Sequence, residues 1–142
     1  MELAEWLMQQ IADDEAVARE AVPSITGWSV GLERAADRRS IVAHLVIPDD
    51  SADSSGIASD EVTRTRWLTT AAHIARWHPA RVLAECEAKR RIVEEHAWGE
   101  YVVGDGWRTC IADHEESPCT TLRLLTMPYA DRPGYDPAWR PE

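Results

Sequence analysis

HIARWHPARVLAECEAKRRIVEEHAW, residues 73–98, is the stretch whose reading decides the fold. His78 and Pro79 form an elbow: proline pushes the residue before it out of helical geometry yet suits the first turn of a new helix, so two helices meet here. Beyond the elbow Val82, Leu83, Cys86, Val93 and Ala97 fall on one stripe, which predicts a core face. Glu85 to Lys89 and Glu87 to Arg91 stand in the favourable acid-first order, contribute about 0.2–0.5 kcal/mol per pair, and are expected to stay wet. Arg90 lies nearest the apolar stripe, so it is expected to snorkel or to pair with a buried acid.

Upstream, the first helix of the pair is expected to start near residue 59, where Ser59 or Asp60 offers a capping oxygen to the unpaired amides of the first turn. Trp67, Leu68, Ala71, Ile74 and Ala75 then make a core face, and Arg66, Thr70, His73 and Trp77 an outer face. That outer face reads as polar surface with one packed tryptophan; its functional alternative is a binding face for an anion, ligand or partner. Residues 48–58 hold no bulky apolar side chain except Ile57 and predict a loop. Over 25–47, Trp28, Val30 and Leu32 alternate with small or polar residues and IVAHLVI follows, the pattern of a β-hairpin, with His44 a core or half-buried histidine. Residues 1–22 read as an amphipathic helix carrying Leu3, Leu7, Ile11, Ala18 and Ala21, widened by Trp6 and Val17 and ended by Pro23. Its acids Asp13, Asp14 and Glu15 point in different directions, which favours a solvated face over an ion site.

Downstream, Gly99, Gly104 and Gly106 around YVV predict a short strand and a loop. After Pro118, CTTLRLLTM predicts a short helix with Thr120 or Thr121 near its cap and Leu122, Leu125 and Leu124 facing inward. Pro128 stops it, and Tyr129, Tyr135 and Trp139 in the proline-rich tail are expected to be spread over the surface as packing anchors. The resulting fold class is α+β: a helix-dominated single domain, 1–142, with a small antiparallel β-hairpin or sheet built from 25–47 and part of 100–110.

Composition bounds the function. A chain of 142 residues can bury a core without a staple, and seven Trp replace the missing Phe. A net charge of −10 repels phosphate backbones and argues against direct nucleic-acid binding and against anionic membranes; the elbow resembles a DNA-reading helix-turn-helix only in outline. No apolar run reaches membrane-spanning length, and MELAEWLMQQIADDE carries acids where a signal peptide needs bases, so a cytoplasmic protein is expected. Three cysteines, an odd number, favour thiols or metal ligands over disulfides.

LAEWLMQQIADDEAVAREA at the N-terminus, HIARWHPARVLAECEAKRRIVEEH and CTTLRLLTMPYADRPGYDPAWRP together resemble a family of small uncharacterised proteins from actinobacteria and their phages. The resemblance leaves out residues 25–65 and carries no assigned activity. Many members resembling this chain place a histidine at the end of the long helix, then Cys-x-x-Cys, then a further cysteine before the TLRLL helix, which implies a four-ligand zinc site. Here His96, Cys110 and Cys119 match three positions, while Asp113 stands for the second cysteine with His114 after it, and either can complete the set. Cys86 reads as a buried small hydrophobe.

Two functions follow as expectations. One is a non-enzymatic accessory protein that binds an unidentified protein partner through His73, Trp77 and Trp139, since no phosphate-binding glycine loop or nucleophile elbow is present. The alternative is a zinc-stabilised module, or a small metal-dependent enzyme, using His96, Cys110, His114 or Asp113, and Cys119. Apolar helix surface also leaves a homo-oligomer open.

Overall fold

The computed structural model describes residues 1–21, 29–34, 41–46, 61–65, 67–103 and 107–141. Helices dominate: α1 (Leu3–Glu20), α2 (Leu68–Arg76), α3 (Pro79–Glu95) and α4 (Thr120–Thr126), with strands β1 (Ser29–Arg34), β2 (Ile41–Val46), β3 (Glu61–Thr65), β4 (Trp98–Val103) and β5 (Trp107–Cys110). The loop at 48–58, the stop at Pro23, the caps Ser59 and Asp60, and Trp28, Arg66, Gly104 and Gly106 lie outside the described residues. Two compact units form, Met1–Ala16 with Glu85–Glu142, and Val17–Ala84.

In the first unit α1 buries Leu3, Trp6, Leu7, Gln10 and Ile11, a three-and-four spacing that puts all five on one face. Trp6 is the centre of this packing. Its ring lies 5.2 Å from Trp139, 5.8 Å from Tyr135 and 6.5 Å from Tyr129, and its indole N–H donates to the Pro133 carbonyl at 3.1 Å. The tail is therefore not a set of surface anchors: Tyr129 is fully buried, and 3-10 turns at Met127–Tyr129 and Pro137–Trp139 fold the aromatics onto α1. Edge and tilted ring pairs of this kind add about 0.5–1.5 kcal/mol each beyond the area they bury.

The acids of α1 depart from a solvated face as well. Asp13 stays exposed and accepts a hydrogen bond from Gln9, but Asp14 pairs with Arg132 and Glu15 with Arg90. Asp14 and Glu15 sit at the rim of the buried stripe, where a carboxylate losing water needs a cation, and Arg90 supplies it as the sequence suggests. Lys89, expected to stay wet, is half-buried and donates to the Tyr129 hydroxyl at 2.9 Å, its ammonium 5.0 Å from that ring's centre. Arg91 keeps its exposed pairing with Glu87 at 2.8 Å.

In the second unit β2 is the central strand of an antiparallel sheet of order β1-β2-β3, with Ser29 opposite Val46 and Ala43 opposite Thr65. The α2 helix packs on this sheet, most of all on β2, and buries Ala71. The helix expected from residue 59 thus starts nine residues later, at Leu68. Glu61–Thr65 reads EVTRT, whose β-branched residues suit a pleated edge better than a first helical turn. With the helix beginning there, Trp67 and Leu68 are exposed instead of core, and Trp67 occupies the N-cap position without a side-chain cap. Val17 and Ala21, at the end of α1, are also exposed.

At the elbow, the Arg81 N–H donates to His78 Nδ1 at 3.4 Å while Pro79 fills the first helical position, where no donor is required. Of the predicted stripe only Cys86 and Val93 are fully buried; Val82 and Leu83 on α3, and Ala97 just beyond its end, are half-buried. In α4, Leu122 and Thr126 are buried and Leu125 half-buried, whereas Leu124 faces outward, because a seven-residue helix has room for one inward row.

Candidate metal centre

Four short pieces of the first unit converge on one point. His96 follows the last turn of α3, its N–H still bonded to the Ile92 carbonyl. Cys110 ends β5, Asp113 lies in the turn after it, and Cys119 occupies the N-cap position of α4. The antiparallel pairing of β4 with β5 sets Trp98 opposite Cys110, which brings the cysteine back to the end of α3. The Ile111 N–H bonds to the Ala97 carbonyl at 3.2 Å and the Cys110 N–H to the Glu115 carbonyl at 2.8 Å, so the loop closes on itself before α4 begins. Glu115 also accepts the Thr120 N–H at 3.0 Å through its carboxylate, satisfying an amide that the helix start leaves unpaired.

The ligand atoms of His96, Cys110, Asp113 and Cys119 all lie within 4.8 Å of one another. His96 Nδ1 is 3.5 Å from Cys110 Sγ, 3.5 Å from Cys119 Sγ and 3.0 Å from Asp113 Oδ2. A tetrahedral zinc with bonds of about 2.0–2.1 Å to nitrogen and 2.3 Å to sulfur separates those two atoms by about 3.6 Å. Both nitrogen–sulfur distances fit that value. The carboxylate oxygen is nearer than the roughly 3.4 Å that the same geometry requires, as suits a direct hydrogen bond to the imidazole. The residue types and the distances from His96 therefore fit a zinc ion, with Asp113 Oδ2 moving slightly away from the imidazole.

Electrostatics in the cluster separate the ligands by environment. Burial pushes the Cys119 thiol up to about 11, assisted by hydrogen bonding to Cys110 and Asp113 and opposed by the Leu122 backbone. For Asp113, partial burial works to raise the carboxyl, but hydrogen bonds with Cys119 and Thr121 and the charge and hydrogen bond of His96 outweigh it and hold it below the usual carboxylate range. Both thiols are 1% exposed, the His96 side chain 13% and the Asp113 side chain 30%. The Asp113 N–H further donates to Cys110 Sγ at 3.5 Å, which ties the turn to that sulfur.

Of the two candidates for the fourth ligand, the structure brings in Asp113 and leaves His114 exposed outside the cluster, at a positive φ of 58°. Thr121, read from sequence as a helix cap, instead donates its hydroxyl to Asp113 Oδ2 at 3.1 Å; nothing in the sequence signals that role. Cys86 is buried on α3, and burial raises its thiol as for a packing residue. The partner-face candidates fall elsewhere. His73 and Trp77 are exposed on and just after α2 with ring centres 6.4 Å apart, and the Arg81 guanidinium lies 4.1 Å over the Trp77 ring. Trp139 is half-buried against Trp6 and Tyr135. Among the described residues no helix is long and apolar enough to cross a membrane.

Residues 1–141 match the model of a family of unknown function (DUF6221), and the chain belongs to that family. No curated protein and no solved structure shows a significant match.

Proposed function

We propose that this family member is a zinc-stabilised module in which His96, Cys110, Asp113 and Cys119 hold one ion. The observation that carries the reading is the convergence of two buried thiols on one imidazole nitrogen at a separation suited to tetrahedral zinc. Nitrogen and sulfur donors select zinc over magnesium or calcium, which prefer oxygen. The ion would join the end of α3, the end of β5 and the start of α4, pieces spread over 24 residues of chain from His96 to Cys119. A mixed set containing a carboxylate is rarer in closed structural sites than an all-Cys/His set. Here the carboxylate is already positioned by its contacts with His96 and Thr121.

Elemental analysis of full-length chain purified without a histidine tag tests the reading. One zinc per chain is expected, with the content falling well below half in Cys119→Ser. Chelation should lower stability by about 3 kcal/mol if the working zinc concentration is about one hundred times the dissociation constant. A zinc-free chain that takes up none on titration would sink the proposal.

A second reading, binding of a protein partner, is favoured by one observation. Trp67 is 71% exposed, Leu68 is exposed, and Trp77 lies exposed under Arg81, a concentration of aromatic and arginine surface on and beside α2. His73 belongs to the same surface. Pull-down with wild type and Trp77→Ala tests it: a partner retained equally by both would remove Trp77 from the role.

A further inference from the structure

We propose that Asp113 is the exchangeable ligand of this site and that a low-molecular-weight thiol, bound as its thiolate, takes its place. The inference rests on the zinc reading above and deepens it by naming the ligand class. Four observations point the same way.

Asp113 is the most open of the four ligands, with the two cysteines sealed and His96 nearly so. The turn around it, Ile111 through Glu116, is exposed, so the Asp113 side is the solvent-facing side of the cluster. The carboxylate also has somewhere to go: the Thr121 hydroxyl already bonds Oδ2 at 3.1 Å and can hold the side chain once it is released. The remaining three ligands, two thiolates and one imidazole, are a set that in zinc enzymes keeps an open fourth position.

Ligand chemistry then selects the newcomer. Thiolate is the softer donor and binds zinc better than carboxylate, and one added sulfur converts the set to three sulfurs and one nitrogen, a common closed arrangement. It also exchanges one anion for another in the coordinated set, so the set keeps its charge while the freed carboxylate, held by Thr121, adds one negative charge beside it. In the exchange the bond from the ion to Asp113 Oδ2 breaks and a bond to the thiol sulfur forms. The thiol proton passes to the freed carboxylate and on to water, and no electron is transferred. Glu115 and Glu116 stand exposed beside the approach, so a thiol with a neutral or cationic remainder is favoured over an anionic one.

The test uses full-length chain loaded with cobalt(II), whose thiolate charge-transfer absorption counts sulfur ligands. Titration with 2-mercaptoethanol should raise that absorption about 1.5-fold in wild type, three thiolates replacing two, and saturate. Cysteamine should act at lower concentration than 3-mercaptopropionate. Asp113→Cys, which supplies the third sulfur internally, should give no response; Asp113→Ala should respond at about tenfold less thiol, because no tethered carboxylate competes. X-ray absorption of zinc-loaded wild type gives the same answer without variants, as a rise from two sulfur neighbours to three. A wild-type spectrum that stays fixed, or that falls as thiol strips the ion, overturns the proposal while leaving the zinc site standing. Failure of wild type to bind cobalt or zinc at all overturns both.

Discussion

Gly134 adopts a φ of 83°, and a Cβ built there would stand 3.0 Å from the Trp6 indole nitrogen. Backbone conformation and close approach coincide at this position, so only glycine lets the tail pass over Trp6. Gly134→Ala should destabilise the chain by about 1–2 kcal/mol through the left-handed backbone alone, read as a lower urea midpoint at unchanged slope. The residue scale is also where the sequence was least explicit about the site. His96, Cys110 and Cys119 could be picked out by residue type and order, but Asp113 and His114 are adjacent and both bind zinc. What separates them is backbone: His114 turns into positive φ and out to solvent, while Asp113 faces His96 and Thr121. No side-chain pattern encodes that choice.

Elements show a different balance. The helical stripe of α1 was legible in Leu3, Trp6, Leu7, Ile11 and Ala18, which are buried, although Val17 and Ala21 of the same reading are exposed and Gln10 joins the covered face; the stripe does not say that the tail covers it. Trp6 therefore reads as one core residue among several until Tyr129, Tyr135 and Trp139 are seen around it. For α2, the elbow at Pro79 marked its end, but its start was lost because EVTRT has charges at helix-compatible spacing and pairs with β2 only through long-range contacts. In α4 the sequence places three leucines close together and the structure buries one of them. Leu122→Ala should accordingly cost about 2–5 kcal/mol, whereas Leu124→Ala should stay within about 1 kcal/mol, both by thermal or urea unfolding. Equal losses at the two positions would mean that α4 is rotated from the arrangement described.

At the scale of the whole molecule, the unit made from Met1–Ala16 and Glu85–Glu142 is held by aromatic packing and by ion pairs, and the proposed zinc would add to them. Its polar core gives a pH signature. Burial pushes the Tyr129 phenol up despite Lys89; burial also opposes the Lys89 charge, but the hydrogen bond and charge of Tyr129, with the charges of Asp14 and Cys86, together outweigh it and raise Lys89. Each group keeps its proton to higher pH folded than unfolded, so their stabilisation is complete below about pH 10 and fades as pH rises through the folded values. Urea midpoints measured from about pH 8 to about pH 11 should fall at the alkaline end, and Tyr129→Phe should flatten the fall. Central to this unit is the ion that His96, Cys110, Asp113 and Cys119 are proposed to share. X-ray absorption at the zinc edge of untagged protein prepared without added thiol reads that ligand set directly. The predicted result is two sulfur neighbours at about 2.3 Å and two nitrogen or oxygen neighbours at about 2.0–2.1 Å; a shell of oxygen and nitrogen alone, with no sulfur, would contradict it.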